Sequence, residues 1–269
     1  MRIGKHIFDT RSQAHVMGIL NVTPDSFSDG GRYTDTDAAL HRCEQMIAEG
    51  AAIIDVGGES TRPGYEPVSV QQEIDRIAPV ISAICGRFDV PVSVDTYKSA
   101  VAEAALQAGA VMVNDIWGLK ADADMAHIIA RHDAACCLMH NRRDSAYGCL
   151  MADVLTDLQQ SIAIARAAGV REDGIMLDPG VGFAKDLQQN LSVTRHVSKL
   201  LALGYPVLLG ASRKSMIGRT LDLPEDQRLE GTLATTVYGV MNGVSFFRVH
   251  DVQANVRAIA MTRAILGAE

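Results

Sequence analysis

The stretch AAIIDVGG, residues 51–58, is a short apolar run that carries one carboxylate and ends in two glycines. Runs of this length between turn residues are typical of β-strands that are buried on both faces. The strand candidate within it covers residues 51–56, and seven others of the same kind occur at residues 16–20, 90–94, 111–113, 134–139, 174–177, 207–209 and 244–249. Such strands indicate a parallel sheet with helices on both sides.

Segments with the apolar spacing of amphipathic helices separate these strand candidates. They cover residues 37–49, 70–85, 99–108, 121–131, 153–168, 187–203 and 230–241, and a last one follows at 252–266. Eight such strand and helix units, joined by right-handed crossovers, close into a (β/α)8 barrel, a fold of about 250 residues. We therefore predict a single TIM barrel domain over residues 1–269, with residues 1–15 as a short N-terminal extension before the first barrel strand.

The composition argues against nucleic-acid and membrane partners and favours a cytoplasmic location. The 25 Lys and Arg residues against 32 Asp and Glu give a net charge of −7, and without a basic block the chain is a poor nucleic-acid binder. The five cysteines are an odd number without metal-ligand spacing, which favours reduced thiols in a cytoplasmic protein. No segment approaches the ~20 apolar residues of a membrane span, so we expect no membrane partner.

Polar side chains follow every one of the eight strand candidates. Asp or Asn after a strand often caps the next helix, so each has a purely structural interpretation. In a barrel, however, the C-terminal strand ends form the active site, and here all eight carry polar groups: Asn21, Asp55, Asp95, Asn114-Asp115, His140-Asn141, Asp178, Ser212-Arg213-Lys214, and Arg248 with His250-Asp251. Such a ring suits a heterocycle with hydrogen-bond donors and acceptors that also bears an anionic group.

A glycine-rich loop and several basic side chains predict that the anionic group of the ligand is a phosphate. The loop GGESTRPG at residues 57–64 offers backbone N–H groups, and Arg62, Arg248 and His250 add donors suited to phosphate oxygens. Walker A and Gly-x-Gly-x-x-Gly patterns are absent, which disfavours nucleotide hydrolysis and dinucleotide redox chemistry. Asn21 alone suits Mg²⁺ that is held mainly by ligand phosphates.

Two covalent mechanisms are alternatives to this interpretation. Ser212 lies outside any Gly-x-Ser-x-Gly elbow, which argues against a serine hydrolase. Lys214 has the residue type of a Schiff-base lysine. A charged, hydrogen-bonding role beside Arg213 and opposite several carboxylates is the simpler interpretation.

Seven motifs spread along the whole chain resemble the signatures of the dihydropteroate synthases. The two longest are MGILNVTPDSFSDGG at residues 17–31 and DVGGESTRPG at residues 55–64. The shorter ones are SVDT at 93–96, ND at 114–115, DPGVGF at 178–183, SRKS at 212–215 and RVHD at 248–251. The resemblance implies a pterin-binding (β/α)8 barrel that condenses 6-hydroxymethyl-7,8-dihydropterin diphosphate with p-aminobenzoate. The products are 7,8-dihydropteroate, a folate precursor, and pyrophosphate.

The resemblance also implies a role for individual residues of this chain. The pterin would be held by Asp95, Asn114, Asp178 and Lys214. The diphosphate would be bound by Asn21, Thr61, Arg62, Arg248 and His250, with Mg²⁺ near Asn21. The p-aminobenzoate pocket would be bordered by Phe27, Pro63, Phe183 and Ser212. The groups expected to act on the reacting atoms are Asp95, Lys214, Arg248, His250 and Arg62.

A dissociative order of bond changes fits this set of residues. The C–O bond to the diphosphate breaks first, the cation is delocalised into the dihydropterin, and the arylamine then attacks. Asp95 would stabilise the cation, and Arg62, Arg248 and His250 with Mg²⁺ would stabilise the departing pyrophosphate.

Two related functions remain as alternatives to the synthase. A pterin-binding methyltransferase module has no diphosphate to bind, and Asn21, Arg62, Arg248 and His250 together argue against it. A catalytically silent paralogue is expected to lack one of these groups, and none is missing.

One segment departs from the common family pattern. The expected oligomeric state is taken from the family resemblance. After His140 the chain continues as NRRDS at residues 141–145, where we expect Arg142 and Arg143 to be a solvated charge pair. The family suggests a homodimer, and the apolar positions of the last two helices suit either the barrel or a dimer seam: Leu233, Val237, Val240, Ile259, Met261 and Ile265.

Overall fold

The computed structural model describes residues 1–22, 32–59 and 68–268, and within these ranges it forms a (β/α)8 barrel. The eight barrel strands are β3 His15–Asn21, β4 Ile53–Gly57, β5 Val92–Asp95, β6 Met112–Asp115, β7 Ala135–Met139, β8 Ile175–Asp178, β9 Leu208–Leu209 and β10 Phe246–Val249. Neighbouring strands are parallel in the order β8-β7-β6-β5-β4-β3-β10-β9. The ring closes where Leu177 pairs with Val207 and its N–H donates to the carbonyl of Pro206 (2.9 Å). The predicted fold is confirmed.

Helices surround the barrel at the predicted places. They are α1 Arg32–Ala48, α2 Val70–Arg87, α3 Ser99–Gln107, α4 Met125–Arg131, α5 Leu150–Ala167, α6 Leu187–Arg195, α7 Ser215–Leu221, α8 Leu229–Met241 and α9 Val252–Leu266. Helix α7, which has seven residues, was not predicted. The predicted helix at 187–203 is divided: α6 ends at Arg195, and a 3₁₀ segment follows at Val197–Leu203.

The N-terminal extension has a structure of its own. Residues Arg2–Ile3 and His6–Ile7 form β1 and β2, an antiparallel hairpin. Ile3 and Phe8 are buried in the same apolar cluster as Phe246, so the hairpin covers the N-terminal end of the barrel. Within the described ranges, no helix is both long enough and apolar enough to cross a membrane.

Two apolar cores lie on the two sides of the strands. The larger one fills the space between strands and helices, and the smaller one plugs the barrel interior near its N-terminal end. Cys136 belongs to the first core and Cys137 to the second, because successive strand residues face opposite ways. The inner plug consists of Ile3, Phe8, Met17, Ile53, Met112, Ala135, Cys137, Met176, Leu208 and Phe246.

Candidate active site

The polar site lies directly above the apolar plug, one inward-facing position further along the strands. Because strand side chains alternate in direction, a residue two positions after an inward-facing one faces inward again. The plug residues Ile53, Met112, Met176 and Phe246 are therefore followed, on the same four strands, by Asp55, Asn114, Asp178 and Arg248. This step of two residues turns an apolar interior into a charged one.

Arg248 stands at the centre of this charged layer. Its Nε donates to Asp55 Oδ2 (2.5 Å) and its Nη2 donates to Asp95 Oδ2 (2.6 Å). Asn114 Nδ2 reaches the same Asp55 oxygen at 3.3 Å. Desolvation opposes the charge of Arg248, but the carboxylates of Asp95 and Asp55 outweigh it and raise the pKa of the guanidinium. Arg248 therefore remains a cation at any physiological pH.

The carboxylates beside Arg248 keep hydrogen-bonding capacity. Asp55 is fully buried, and burial raises the pKa of Asp95 to about 7 against the lowering effect of Arg248. Asp55 Oδ1 and Asp95 Oδ1 are buried without a hydrogen-bond partner among the described residues. A buried carboxylate oxygen in that position costs free energy unless a donor meets it. These oxygens fit a ligand that brings N–H donors into the mouth of the barrel.

Asp178 and Lys214 form the opposite wall of the site. Asp178 Oδ1 accepts the N–H of Gly180 (2.7 Å), and a Cβ placed on Gly210 would lie 3.4 Å from Asp178 Oδ2. The ammonium of Lys214 donates to the carbonyl of Val181 and lies 4.4 Å from the centre of the Phe183 ring. Burial lowers the pKa of Lys214 to about 8, although Asp178 acts in the opposite direction. Burial likewise raises the pKa of Asp178.

Ser212 and His250 are adjacent at the ends of β9 and β10. Ser212 Oγ lies 3.0 Å from His250 Nδ1 and accepts the backbone N–H of His250 (3.2 Å). Arg42 on α1 donates to the backbone carbonyl of His250 (3.0 Å). The next residues along the chain, Arg213 and Asp251, form a bidentate ion pair, in which Arg213 donates to both carboxylate oxygens at 3.0 and 2.5 Å. These contacts fix the side chain of Ser212 and the backbone of His250 next to Arg248.

A cluster of charged residues lies between the end of β4 and the start of α2. The ammonium of Lys98 donates to Glu59 Oε2 (2.5 Å), to Glu73 Oε2 (2.7 Å) and to the carbonyl of Val68 (2.8 Å). Tyr97 donates its hydroxyl to Glu59 Oε1 (3.0 Å). Lys98 thus ties together the two described residues, Glu59 and Val68, that bracket residues 60–67.

The predicted site residues fall into two groups. Phe27, Thr61, Arg62 and Pro63 lie outside the described residues. The described members meet at one end of the barrel, on or just after six of the eight strands, as predicted: Asn21, Asp95, Asn114, Asp178, Phe183, Ser212, Lys214, Arg248 and His250. The amide oxygen of Asn21 lies 3.5 Å from where a Cβ on Gly57 would stand, and Asp95 Oδ2 lies 3.9 Å from that same point.

Three features of the site were missed or misjudged from the sequence. Asp55 was recognised as a strand-end carboxylate, but its pairing with Arg248 was not. Lys185 was not singled out, although its ammonium donates to the carbonyls of Gly180 and Phe183 (both 3.0 Å). The prediction that Arg142 is part of a solvated charge pair is wrong, because its Nε donates to Asp157 Oδ2 (2.6 Å). Its neighbour Arg143 is exposed as expected.

Comparison with known proteins identifies the family of this chain. Residues 17–250 match the model of a family described as pterin binding enzyme. A dihydropteroate synthase of Clostridium beijerinckii is 54% identical over 267 residues, which is 99% of either chain.

Two solved structures share the fold. A dihydropteroate synthase of Clostridium difficile, solved in the presence of pteroic acid, has a TM-score of 0.94 at 49% identity over 96% of this chain and 99% of its own. A dihydropteroate synthase of Xanthomonas albilineans, solved with 4-aminobenzoic acid, has a TM-score of 0.91 at 39% identity over 96% of this chain and 94% of its own. This chain therefore belongs to the pterin-binding enzyme family and, within it, to the dihydropteroate synthases.

Proposed function

We propose that this chain condenses 6-hydroxymethyl-7,8-dihydropterin diphosphate with p-aminobenzoate to give 7,8-dihydropteroate and pyrophosphate. The observation that carries the proposal is the charged layer at the C-terminal barrel mouth, where two carboxylate oxygens without a hydrogen-bond partner in the described part of the chain stand beside Arg248. The relatives described above are dihydropteroate synthases by name, one of them solved in the presence of pteroic acid and another with 4-aminobenzoic acid.

The pterin suits the space lined by Asp95, Asn114, Asp178 and Lys214. An aminopyrimidine edge presents adjacent N–H donors, and a carboxylate accepts such a pair while an amide and an ammonium supply the complementary polarity. Gly210 leaves the space beside Asp178 Oδ2 open to a ring, because a Cβ there would approach that oxygen to 3.4 Å. Asp178 is therefore the acceptor we assign to the amino group of the pterin.

The diphosphate belongs nearer to solvent. We assign it to Asn21, Arg248 and His250 of the described residues, together with Thr61 and Arg62. Guanidinium groups pair with phosphate oxygens in a planar, bidentate geometry, and Arg248 already presents its donors to two carboxylates. Binding of the diphosphate then adds a third anionic group beside Arg248, the cation that Asp55 and Asp95 hold in place.

Mg²⁺ is proposed as the cofactor, with Asn21 as its protein ligand. The amide oxygen of Asn21 is a hard donor beside Gly57 at the mouth, and Mg²⁺ takes one or two protein oxygens when a substrate supplies phosphate oxygens. When bound, the ion neutralises charge on the leaving diphosphate.

The arylamine pocket is assigned to Phe183 and Ser212, with Phe27 and Pro63 from outside the described residues. The ammonium of Lys214 lies over the Phe183 ring, and Ser212 stands two residues before Lys214 in the chain. An aromatic ring and a hydroxyl near the residues assigned to the pterin suit a flat, monosubstituted aniline whose amine must reach the pterin methylene carbon.

We infer a dissociative order of steps. The C–O bond breaks and its electron pair leaves with pyrophosphate, which Arg248 and His250 stabilise with Arg62. The carboxylate of Asp95 stabilises the positive charge that develops on the dihydropterin. The amine lone pair of p-aminobenzoate then forms the C–N bond, and the surplus proton passes from nitrogen to solvent.

The proposal is tested by pyrophosphate release from the pterin diphosphate, with and without p-aminobenzoate, Mg²⁺ and a chelator, and with Arg248→Ala beside the wild type. We expect Mg²⁺-dependent dihydropteroate formation that is lost in Arg248→Ala. Slow pyrophosphate release without p-aminobenzoate is expected from the dissociative order, and a strict need for the amine before any C–O cleavage contradicts that order. Tight pterin binding without product favours the methyltransferase module or the silent paralogue.

We further propose that the chain forms a homodimer in the cytoplasm. Helices α8 and α9 bury Val240 and Ile259 but leave Met241, Met261 and Ile265 more than half exposed. Three large apolar side chains on one pair of helices favour an interface between copies. Sedimentation of the wild type and of Met261→Glu tests this, since a charge in a C₂ interface meets itself and disrupts the dimer.

A further inference from the structure

The turn that follows β8 is held by a lysine that the assigned reaction does not use. Lys185 donates to the carbonyls of Gly180 and Phe183, both at 3.0 Å, and its Nζ lies 2.9 Å from Nδ1 of His140. An ammonium has three N–H donors and no acceptor, so these three contacts use its whole capacity. Two of the three acceptors belong to the one turn that carries Phe183.

His140 connects this lysine to a charge network behind the turn. The imidazole is fully buried, and burial lowers its pKa to about 3, so the ring is neutral. Its Nε2 lies 3.0 Å from Asp157 Oδ2, the same oxygen that accepts Arg142 Nε. Nε2 therefore carries the proton that goes to Asp157, and Nδ1 accepts from Lys185. The lysine is thereby anchored to α5.

The turn is enclosed on its other side by the active-site lysine. Lys214 donates to the carbonyl of Val181, and its ammonium lies over the Phe183 ring. A Cβ on Gly180 would stand 1.9 Å from the carbonyl oxygen of His140, and one on Gly182 would stand 2.8 Å from Cδ of Lys214. Both glycines also have positive φ, +70° and +87°, so the turn tolerates no side chain at either position.

We propose that Lys185 is a positioning residue for the arylamine pocket: by fixing the carbonyls of Gly180 and Phe183 it sets the place of the Phe183 ring against Lys214. This inference rests on the proposed function, which assigns Phe183 to that pocket. Filling this space does not by itself require a lysine, since a buried ammonium carries a desolvation penalty that an apolar side chain avoids. Burial and the cations of Lys214 and Arg142 lower the pKa of Lys185 to about 7, although Asp178 opposes them, which shows how unfavourable the place is for a charge.

The first test is a double-mutant cycle on Lys185 and Phe183. Lys185→Met is expected to raise the KM for p-aminobenzoate and the Kd for pteroic acid about tenfold, with kcat changed less than about threefold, because a displaced ring weakens binding. In a Phe183→Ala background the same substitution is expected to add nothing, because the ring through which Lys185 acts is gone. The measurements are made below pH 7, where Lys185 is protonated.

A matched control separates positioning from loss of stability. Thr236 on α8 donates to Asn255 Oδ1 on α9 (2.7 Å), and both residues are buried far along the chain from the turn. Thr236→Val removes one buried hydrogen bond, as Lys185→Met removes buried contacts, so both variants should lose some thermal stability. Only Lys185→Met should change KM and Kd.

The second test needs no turnover. Hydrogen exchange of the peptide that contains residues 180–184 is expected to speed up in Lys185→Met and to stay unchanged in Thr236→Val. Unchanged exchange at the turn, or an equal rise of Kd with and without Phe183, overturns the inference. A wild type that binds pteroic acid but forms no product contradicts only the proposed synthase activity, because the Kd cycle still decides the role of Lys185. A wild type that binds no pteroic acid overturns both.

Discussion

The two ends of the barrel interior are built from the same strands and behave in opposite ways. At the N-terminal end, Met112, Met176 and Phe246 pack against one another and against the β1–β2 hairpin. Two residues further on, the same strands present Asn114, Asp178 and Arg248. The side chains of the plug satisfy one another by packing, whereas the charged layer retains carboxylate oxygens without a hydrogen-bond partner among the described residues.

The difference shows how a barrel supports a site that is itself unfavourable. Each fully buried apolar side chain in the plug contributes about 2 kcal/mol. Each charge in the upper layer is desolvated, and it is tolerated only because Arg248 joins Asp55 to Asp95. The plug thus supplies the stability that the charged layer lacks, and the two layers should respond differently to substitution.

The largest effect is expected from Arg248→Met. The substitution leaves Asp55 and Asp95 as buried carboxylates without a cation and removes a donor from the diphosphate. We expect kcat/KM to fall by roughly four orders of magnitude, about 5 kcal/mol, and the free energy of unfolding to fall by about 3 kcal/mol. Pyrophosphate release and urea unfolding measure the two effects.

The control for this prediction is the double variant with Asp95→Asn. Removing one carboxylate relieves the uncompensated charge, so stability should recover while activity should not. A single variant that keeps kcat/KM within tenfold of the wild type contradicts the central role assigned to Arg248.

Phe246→Ala in the plug is expected to lower stability alone, by less than the effect of Arg248→Met on kcat/KM. The ring is fully buried against Phe8 and His15, so its removal leaves a cavity and should cost about 4 kcal/mol of unfolding free energy. The charged layer lies two residues further along β10, and kcat should change little at temperatures where the variant is folded. A large fall in kcat without loss of stability is the result that speaks against separate layers.

The strands and the location of the site could be predicted because each strand is an apolar run that ends in polar residues. That pattern predicts which residues lie at the C-terminal mouth, and Asp95, Asn114, Asp178 and Lys214 are found there. It does not predict which of these side chains contact one another. Asp55 was visible as a strand-end carboxylate, but its ion pair with Arg248 joins residues 193 positions apart and leaves no local signal.

The network around Lys185 was hidden for the same reason. It brings together His140, Arg142, Asp157 and Lys185 from a strand end, a loop, the middle of α5 and a turn. The helical period of α5 shows which of its faces is apolar, but not that one carboxylate on it meets a buried imidazole. The β1–β2 hairpin was missed because strands of two residues have no alternation to detect.

The pH dependence of the charged layer should give an effect of about 1.4 kcal/mol per pH unit. Lys214 is protonated below its lowered pKa of about 8, so rising pH removes the ammonium charge that we assign to pterin binding. We expect kcat/KM to fall about tenfold per unit above that pH. In Lys214→Arg, whose guanidinium stays charged, this alkaline limb should disappear. If the fall in kcat/KM at high pH remains unchanged in Lys214→Arg, another group that loses a proton causes it. Lys185, with a pKa of about 7, is the nearest candidate.

The smallest effect is expected from Met112→Leu, and its smallness is what makes it informative. Met112 is fully buried in the plug, two residues before Asn114 on the same short strand. A swap that conserves volume and polarity costs less than about 1.5 kcal/mol in a packed core. Since the plug is complete through contact alone, such a change should be absorbed by its neighbours, leaving kcat/KM and the pH profile as in the wild type. If Met112→Leu instead lowers kcat/KM as strongly as a change in the charged layer, the plug sets the position of Asn114, and the two ends of the barrel work as one unit.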